Sequence, residues 1–199
     1  MNRVRRRAAS RSVLVTAISR RALLQRFTAV PAALGLAVFR EWQPGRAKQK
    51  NGKKGKGNGN SSSARYAPDG EERKFLDLIN DYRRKNGAGQ LRLQDQLGAA
   101  AEHHSQDMAK KNYFSHKLAN GDAPEKNIER FGYRDWTHIG ENIAAGFETA
   151  NEVMTAWKKS PEHDRSMRDK AFTEIGIGRA YDRDAKYGWY WTTTFGSRS

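Results

Sequence analysis

The chain has 199 residues, a net charge of +15 and no cysteine. That length admits one domain of ordinary size, and the absence of cysteine excludes disulfides, thiolate catalysis, Cys-ligated metals and a lipidated cysteine anchor. The charge is uneven: residues 1–65 carry 16 Lys and Arg against one acid, Glu41, whereas residues 66–199 carry 21 of each sign.

A nucleic-acid-binding domain carries its basic excess on a folded surface. Here the excess lies in a tail, which argues against nucleic acid as a partner. An anionic membrane, a wall polymer or a merely solvated linker suits such a tail equally.

Taken in chain order, residues 1–26 are rich in arginine and Phe27 to Phe39 form an uncharged, mostly apolar segment. Thirteen residues fall short of the ~20 that a membrane-spanning helix needs and suit the apolar region of a signal peptide. Just before it, Ser19-Arg20-Arg21-Ala22-Leu23-Leu24-Gln25 is a partial match to a twin-arginine export signal. Residues 1–42 are therefore read as an export signal, with an amphipathic anchor as the competing reading. Residues 43–67 are rich in Gly, Lys, Asn and Ser with no apolar periodicity, a basic flexible linker. Residues 68–199 are left as the folded domain.

Asp69 with Glu72 forms a capping box, and Phe75, Leu78, Ile79 and Tyr82 follow at helical spacing. This helix is expected to reach Lys85 and stop at Asn86-Gly87. A second helix follows Leu91 and Leu93, with Leu97, Ala100, Ala101, His104 and Met108 as its stripe. His104 on that stripe reads as a hydrogen-bonded core histidine, while His103 beside it reads as exposed. Pro124 suits the first turn of a helix ending at Gly132, with Ile128 and Phe131 inward.

His138 falls in an expected surface loop before Gly140-Glu141-Asn142-Ile143-Ala144-Ala145-Gly146. That glycine-bounded stretch is too short for an amphipathic helix and reads as a strand or turn. Thr149 with Glu152 is a second capping box, ahead of Val153, Met154 and Trp157. Ser160 and Pro161 read as N-cap and first residue of a short helix, placing His163 in the first turn, where the helix dipole favours its neutral form. Glu174 to Arg179 and Gly188 to Phe195 then change to strand-like period, with Tyr181 to Lys186 as the loop between them. Helices first and strands at the end favour an α+β fold.

Several of these segments together resemble one family. Phe114-Ser115-His116, Gly140-Glu141-Asn142-Ile143-Ala144, Trp157 followed by Ser160-Pro161-Glu162-His163, Glu174-Ile175-Gly176-Ile177-Gly178, and Tyr190-Trp191-Thr192 with Phe195-Gly196 occur in the order found in bacterial members of the CAP superfamily. That superfamily comprises cysteine-rich secretory proteins, antigen 5 and pathogenesis-related proteins, also called SCP domains, and the resemblance covers about residues 70–197. It implies an α-β-α sandwich with a small antiparallel sheet flanked by helices, in a secreted or surface protein. It also implies a cleft lined by two histidines and two glutamates that binds a divalent metal in some members. His116 matches the first histidine and Glu141 the first glutamate. Ser160 stands in place of the second glutamate and Tyr190 in place of the second histidine. His163 is the histidine of the bacterial Ser-Pro-Gly-His motif, in which Glu162 replaces the glycine; Asp164 and Ser166 replace the usual Arg and Asn nearby.

His116, Glu141 and His163 make a chemically sufficient zinc set with an open position for water. The competing reading has them hydrogen-bonded to one another and to backbone, fixing their loops. Asn142 is expected to tie down a turn through side-chain bonds to backbone. Ser115 and His116 are no nucleophile pair, because consecutive side chains diverge. Two functions follow from the resemblance. One is a non-enzymatic binding module for a lipid, a cell-wall component or a protein, with His116, Glu141, His163 and Asn142 in its cleft. The other is a metal-assisted hydrolase acting through His116, Glu141 and His163. The first is favoured because no general acid/base partner is assignable.

Overall fold

The computed structural model describes residues 12–19 and 66–198. In chain order these form β1 (Ser12–Ser19), α1 (Gly70–Lys85), β2 (Arg92–Leu93), α2 (Asp95–Lys111), α3 (Pro124–Arg130), β3 (Trp136–Ala145), α4 (Ala150–Lys158), α5 (Pro161–Arg168), β4 (Glu174–Tyr181) and β5 (Trp189–Arg198). The linker and the apolar segment of the expected export signal lie outside the described residues. The architecture is an α-β-α sandwich. Its sheet runs β1-β3-β5-β4-β2. The antiparallel centre β3-β5-β4 gains one parallel strand at each edge, so the sheet is mixed rather than purely antiparallel. Only the centre was expected; β2 falls within the stretch from Leu91 to Leu93, just before the second helix.

Local chemistry explains the helix boundaries. The α1 capping box is complete: Asp69 accepts from the Glu72 N–H at 2.9 Å, and Glu72 accepts from the Asp69 N–H at 2.7 Å. The other Glu72 oxygen takes the Arg179 N–H at 2.8 Å, fastening the start of α1 to β4. Burial leads the opposing influences on this carboxyl and lifts its pKa to about 7. At the far end of α1, the buried Arg83 guanidinium spends its donors on four carbonyls, those of Gly89, Met167, Asp169 and Phe172, at 2.6–2.9 Å. Among the described residues, no carboxylate hydrogen-bonds this guanidinium; carbonyl dipoles solvate the charge instead. The second capping box, Thr149 with Glu152, starts α4 as expected.

The sheet divides the core. On one face Phe75 and Ile79 of α1, Val153 and Trp157 of α4 and Met167 of α5 pack against Ile175, Ile177, Trp191 and Phe195. On the other, α2 and α3 pack against Ile139, Ile143, Ala145 and Tyr190 in two clusters. Because strand side chains alternate, odd-numbered residues from Ile139 to Ala145 face α2 and even-numbered ones face α1, α4 and α5; Trp136, before an irregularity at Trp136–His138, packs on the α2 and α3 side.

The α2 layer lies unusually close to the sheet. A Cβ at Gly176 would collide with the Leu97 backbone, and one at Gly178 with Ala101 and Glu102. The strand motif Gly176-Ile177-Gly178 thus places bare backbone under the helix and an isoleucine on the opposite face. Ser105 Oγ, 2.9 Å from both the Gly178 carbonyl and Thr192 Oγ1, and Thr194 donating to the Leu97 carbonyl at 2.8 Å, pin the helix at that height.

Two expectations are corrected. His138 sits in strand β3, not in a loop, and is half buried. His103 is half buried against Phe131, with ring centroids 5.4 Å apart, rather than exposed. Residues 12–19, which lie within the stretch read as an export signal, are an eight-residue strand along the edge of β3. Their Val, Leu and Ile content carries the strand propensity, which the arginines on either side mask in any composition-based reading.

Replacing Gly178 with alanine tests the close approach of α2. The added methyl has no room without moving the helix, so the Gly178→Ala variant is expected to lose about 3 kcal/mol in chemical denaturation. A midpoint equal to that of the unmodified chain would contradict the packing account.

Candidate functional site

The site begins with one charge in the middle of the sheet. Glu141 lies on the α2 face of β3, opposite Thr194, and is fully buried. Its two oxygens are taken by two imidazoles: Oε2 lies 2.9 Å from His104 Nδ1, and Oε1 lies 2.7 Å from His116 Nδ1. His104 comes from the middle of α2, held low by the glycine contacts. His116 comes from the loop that leaves the helix.

That loop folds back over α2. Asn112 caps the helix in the left-handed region at φ 53°, which asparagine tolerates better than most residues. Asp107 then accepts from the Tyr113 hydroxyl at 2.6 Å and the Ala119 N–H at 2.9 Å, closing the loop over the helix. Burial would raise the Asp107 pKa, but these bonds and Lys111 outweigh it and hold the carboxyl at about 2.

The hydrogen bonds settle the protonation of His104. Its Nε2 lies 3.0 Å from the Ser115 carbonyl, which can only accept, and its Nδ1 faces the Glu141 carboxylate, which when ionised can only accept. Both ring nitrogens therefore carry hydrogen, and His104 is an imidazolium paired with Glu141. Burial opposes charge on each partner. For His104, the Glu141 charge and bond outweigh it and raise the pKa. For Glu141, the His104 charge and bond, followed by those of His116, outweigh it and lower the pKa. The pair therefore stabilises the fold across a window that closes in acid as Glu141 protonates and in base as His104 deprotonates.

His116 donates its Nδ1–H to the remaining oxygen, leaving Nε2 buried without a hydrogen-bond partner. His163 lies at the start of α5, on the layer that Asn142 faces. Its Nδ1 contacts Ser160 Oγ at 2.7 Å, and its ring stacks on Trp157 with centroids 5.9 Å apart. Its Nε2 is likewise buried and unpartnered. Burial first, then the electrostatic influence of neighbouring His116, pushes its pKa down to about 4, so His163 is neutral at physiological pH.

Of the four residues singled out from sequence, the structure joins His116 directly to Glu141. His163 bonds to Ser160 and meets His116 only through its field. Asn142 does not tie down a turn: it accepts from Thr16 Oγ1 at 2.5 Å and reaches the His163 carbonyl at 3.4 Å, linking β1, β3 and α5. Ser160 caps no backbone N–H of α5, its hydroxyl being engaged by the His163 ring. Tyr190 is buried against Tyr187, away from any such role. The residue missing from the expected set is His104. Its position on an apolar helical stripe was the available signal, but a stripe does not reveal which strand residue lies beneath.

A divalent metal can be tested against this arrangement. Both Glu141 oxygens are committed to Nδ1–H donors, leaving two unpartnered nitrogens, His116 Nε2 and His163 Nε2. Zinc sites use three or four protein ligands. Among the described residues, no group of three or more His, Asp and Glu side chains is arranged to hold a metal ion. As folded, the set does not fit one.

Comparison with known proteins places this geometry in context. The model of the cysteine-rich secretory protein family, CAP, matches residues 76–195. The uncharacterized protein YkwD of Bacillus subtilis is 34% identical over 135 residues, 68% of this chain and 50% of that protein. The chain thus spans half the length of that curated relative or, for the membrane protein YlbC of the same organism, 31% of it. Among solved structures, an extracellular protein containing a SCP domain from Bacillus anthracis is similar with 28% identity and TM-score 0.58, over 65% of this chain and 41% of that one. An outer surface protein of Borrelia burgdorferi shares the fold, at 24% identity and TM-score 0.59, over 65% of this chain and 93% of that one.

The depressed His163 pKa carries a pH signature. A group whose folded pKa lies below its unfolded value contributes stability that is complete above about pH 6.5 and lost as the pH falls toward 4. Relative to a His163→Gln variant, the unmodified chain is expected to lose up to ~1.4 kcal/mol per pH unit across that window. Urea denaturation of both forms at pH 7 and pH 5 measures it. A pH-independent difference between them would contradict the buried, neutral imidazole.

Proposed function

The chain belongs to the cysteine-rich secretory protein, or CAP, family, and from that premise we propose that it is an exported binding module without catalytic activity of its own. Its residues 1–42 serve as the export signal, and residues 43–67 are a basic linker that holds the domain near an anionic envelope. The ligand is an envelope component, a lipid, a wall polymer or a protein, received beside the His116 and His163 imidazoles. The extracellular Bacillus anthracis relative supports placement outside the cytoplasm. Among the described residues, no helix is long and apolar enough to cross a membrane.

The observation that carries this reading is the state of Glu141. A general base or metal ligand needs a free lone pair within reach of its substrate. Glu141 has no exposure, a lowered pKa and both oxygens bonded to imidazoles. It organises the site and does not act on a substrate. Such a buried network fixes the loop bearing His116, so that the region beside the two buried, unpartnered Nε2 atoms is a rigid recognition surface.

Metal-assisted hydrolysis is the alternative, and those two imidazole nitrogens are what favours it. One experiment separates the two. The purified full chain is incubated with anionic lipid vesicles, peptidoglycan and zinc, beside a Glu141→Gln variant, and assayed for retention, zinc stoichiometry and peptide cleavage. Retention of an envelope component without zinc uptake or turnover is expected. Stoichiometric zinc with cleavage that Glu141→Gln abolishes would overturn the binding reading.

A further inference from the structure

β3 carries the site and stands at the border of the family fold. The family match spans residues 76–195, and the hydrophobic clusters described above are built from residues 75–195. Within that span β3 is paired only through β5, so its other side is an open edge. An edge strand presents a row of unpaired N–H and C=O groups and is a template for a further strand. With β1 in place, Ile139 through Ala145 are all buried.

The edge is taken by β1, which pairs in parallel along its full length, Ser12 opposite His138 through Ser19 opposite Ala145. The segment, Ser-Val-Leu-Val-Thr-Ala-Ile-Ser, carries no charge although arginine flanks it on both sides. Its specific contact is Thr16: the hydroxyl donates to Asn142 Oδ1 at 2.5 Å and lies 3.5 Å from Ser166 Oγ. The Thr16 and Ile143 backbones lie beside the His163 ring. The strand therefore lies across the histidine that the binding-module reading assigns to the recognition surface. It also belongs to residues 1–42, which that reading assigns to the export signal.

We propose that the outer edge of β3 is a binding site for an extended, uncharged peptide that adds in parallel, with a hydroxyl-bearing residue opposite Asn142. Ser12–Ser19 fill it as an internal stand-in. This names the ligand class for the site described above and rests on the reading of that site as a binding surface. Main-chain ladder bonds supply affinity, and the Asn142 and Ser166 pocket supplies selectivity for threonine or serine. A protein ligand is thus favoured over a lipid or a polysaccharide, neither of which continues a ladder. While the leader is attached, its high effective concentration keeps other peptides out; its removal opens the edge.

The test uses the full chain with Val15→Pro and Thr16→Pro together. Consecutive strand residues point their N–H groups to opposite sides, so one of the two prolines necessarily removes a ladder donor. The probe is a fluorescein-labelled peptide with the sequence of residues 12–19, followed by anisotropy. The double-proline chain is expected to bind it about a hundredfold more tightly than the unmodified chain, because the internal competitor is gone. A probe carrying Thr16→Val should bind more weakly, and amide exchange of residues 139–145 should speed up in the variant and slow again on peptide addition.

Equal binding by the two chains, or no binding by a variant that still unfolds cooperatively, would overturn the proposal. So would loss of cooperative unfolding in both the double-proline chain and a Thr16→Asp chain, because β1 would then be part of the fold and no stand-in. Retention of lipid or wall polymer without peptide binding would overturn this inference and leave the binding-module reading standing. Peptide binding by the variant, with no envelope component retained by the unmodified chain, would sustain the inference and shift the function to protein recognition.

Discussion

One carboxylate in the centre of the sheet determines how the rest of the chain must be built. A lone Glu141 at zero exposure would be too costly to ionise, and its pKa would rise until it took up a proton. Two imidazoles prevent that, one from a helix and one from a loop, and each has to be delivered to within 3 Å. The helix is delivered by glycine at 176 and 178, which let its backbone rest on the strand, and by Ser105 and Thr194, which fix its height. The loop is delivered by Asn112 and Asp107. Most of the polar groups buried between α2 and the sheet therefore serve one ion pair.

Such a pair is weak evidence of net stability, because the desolvation of both partners offsets much of their attraction. Its consequence is geometric. With its charge compensated and both oxygens used, Glu141 holds His116 in one tautomer and one orientation, and the His116 field acts on His163 across the strand. The result is a set of buried polar groups whose orientation is preset.

Much of this fold is legible in the sequence because its signals are local. Asp69 with Glu72 and Thr149 with Glu152 satisfy helix donors from within three residues, and the Gly176-Ile177-Gly178 alternation announces a strand with two unequal faces. The site was legible only in part. His116, Glu141 and His163 stand out by residue type and by family resemblance, yet adjacent strand residues face opposite layers, so Glu141 and Asn142 serve different partners. His104 was hidden by its surroundings, since a histidine on an apolar stripe looks the same whether it meets a carbonyl or a carboxylate. β1 was hidden by composition: its eight uncharged residues sit among arginines, and its parallel partner begins 126 positions later, at His138.

The central claim is that His104 is a buried imidazolium and that His116 donates Nδ1–H, both to an ionised Glu141. Long-range proton–nitrogen correlation spectra of the 15N-labelled chain at pH 7 report each ring nitrogen directly. The account predicts both nitrogens of His104 protonated and Nδ1 of His116 protonated, with all three signals lost or shifted in a Glu141→Gln variant. A neutral His104, or a His116 protonated at Nε2 alone, would contradict it.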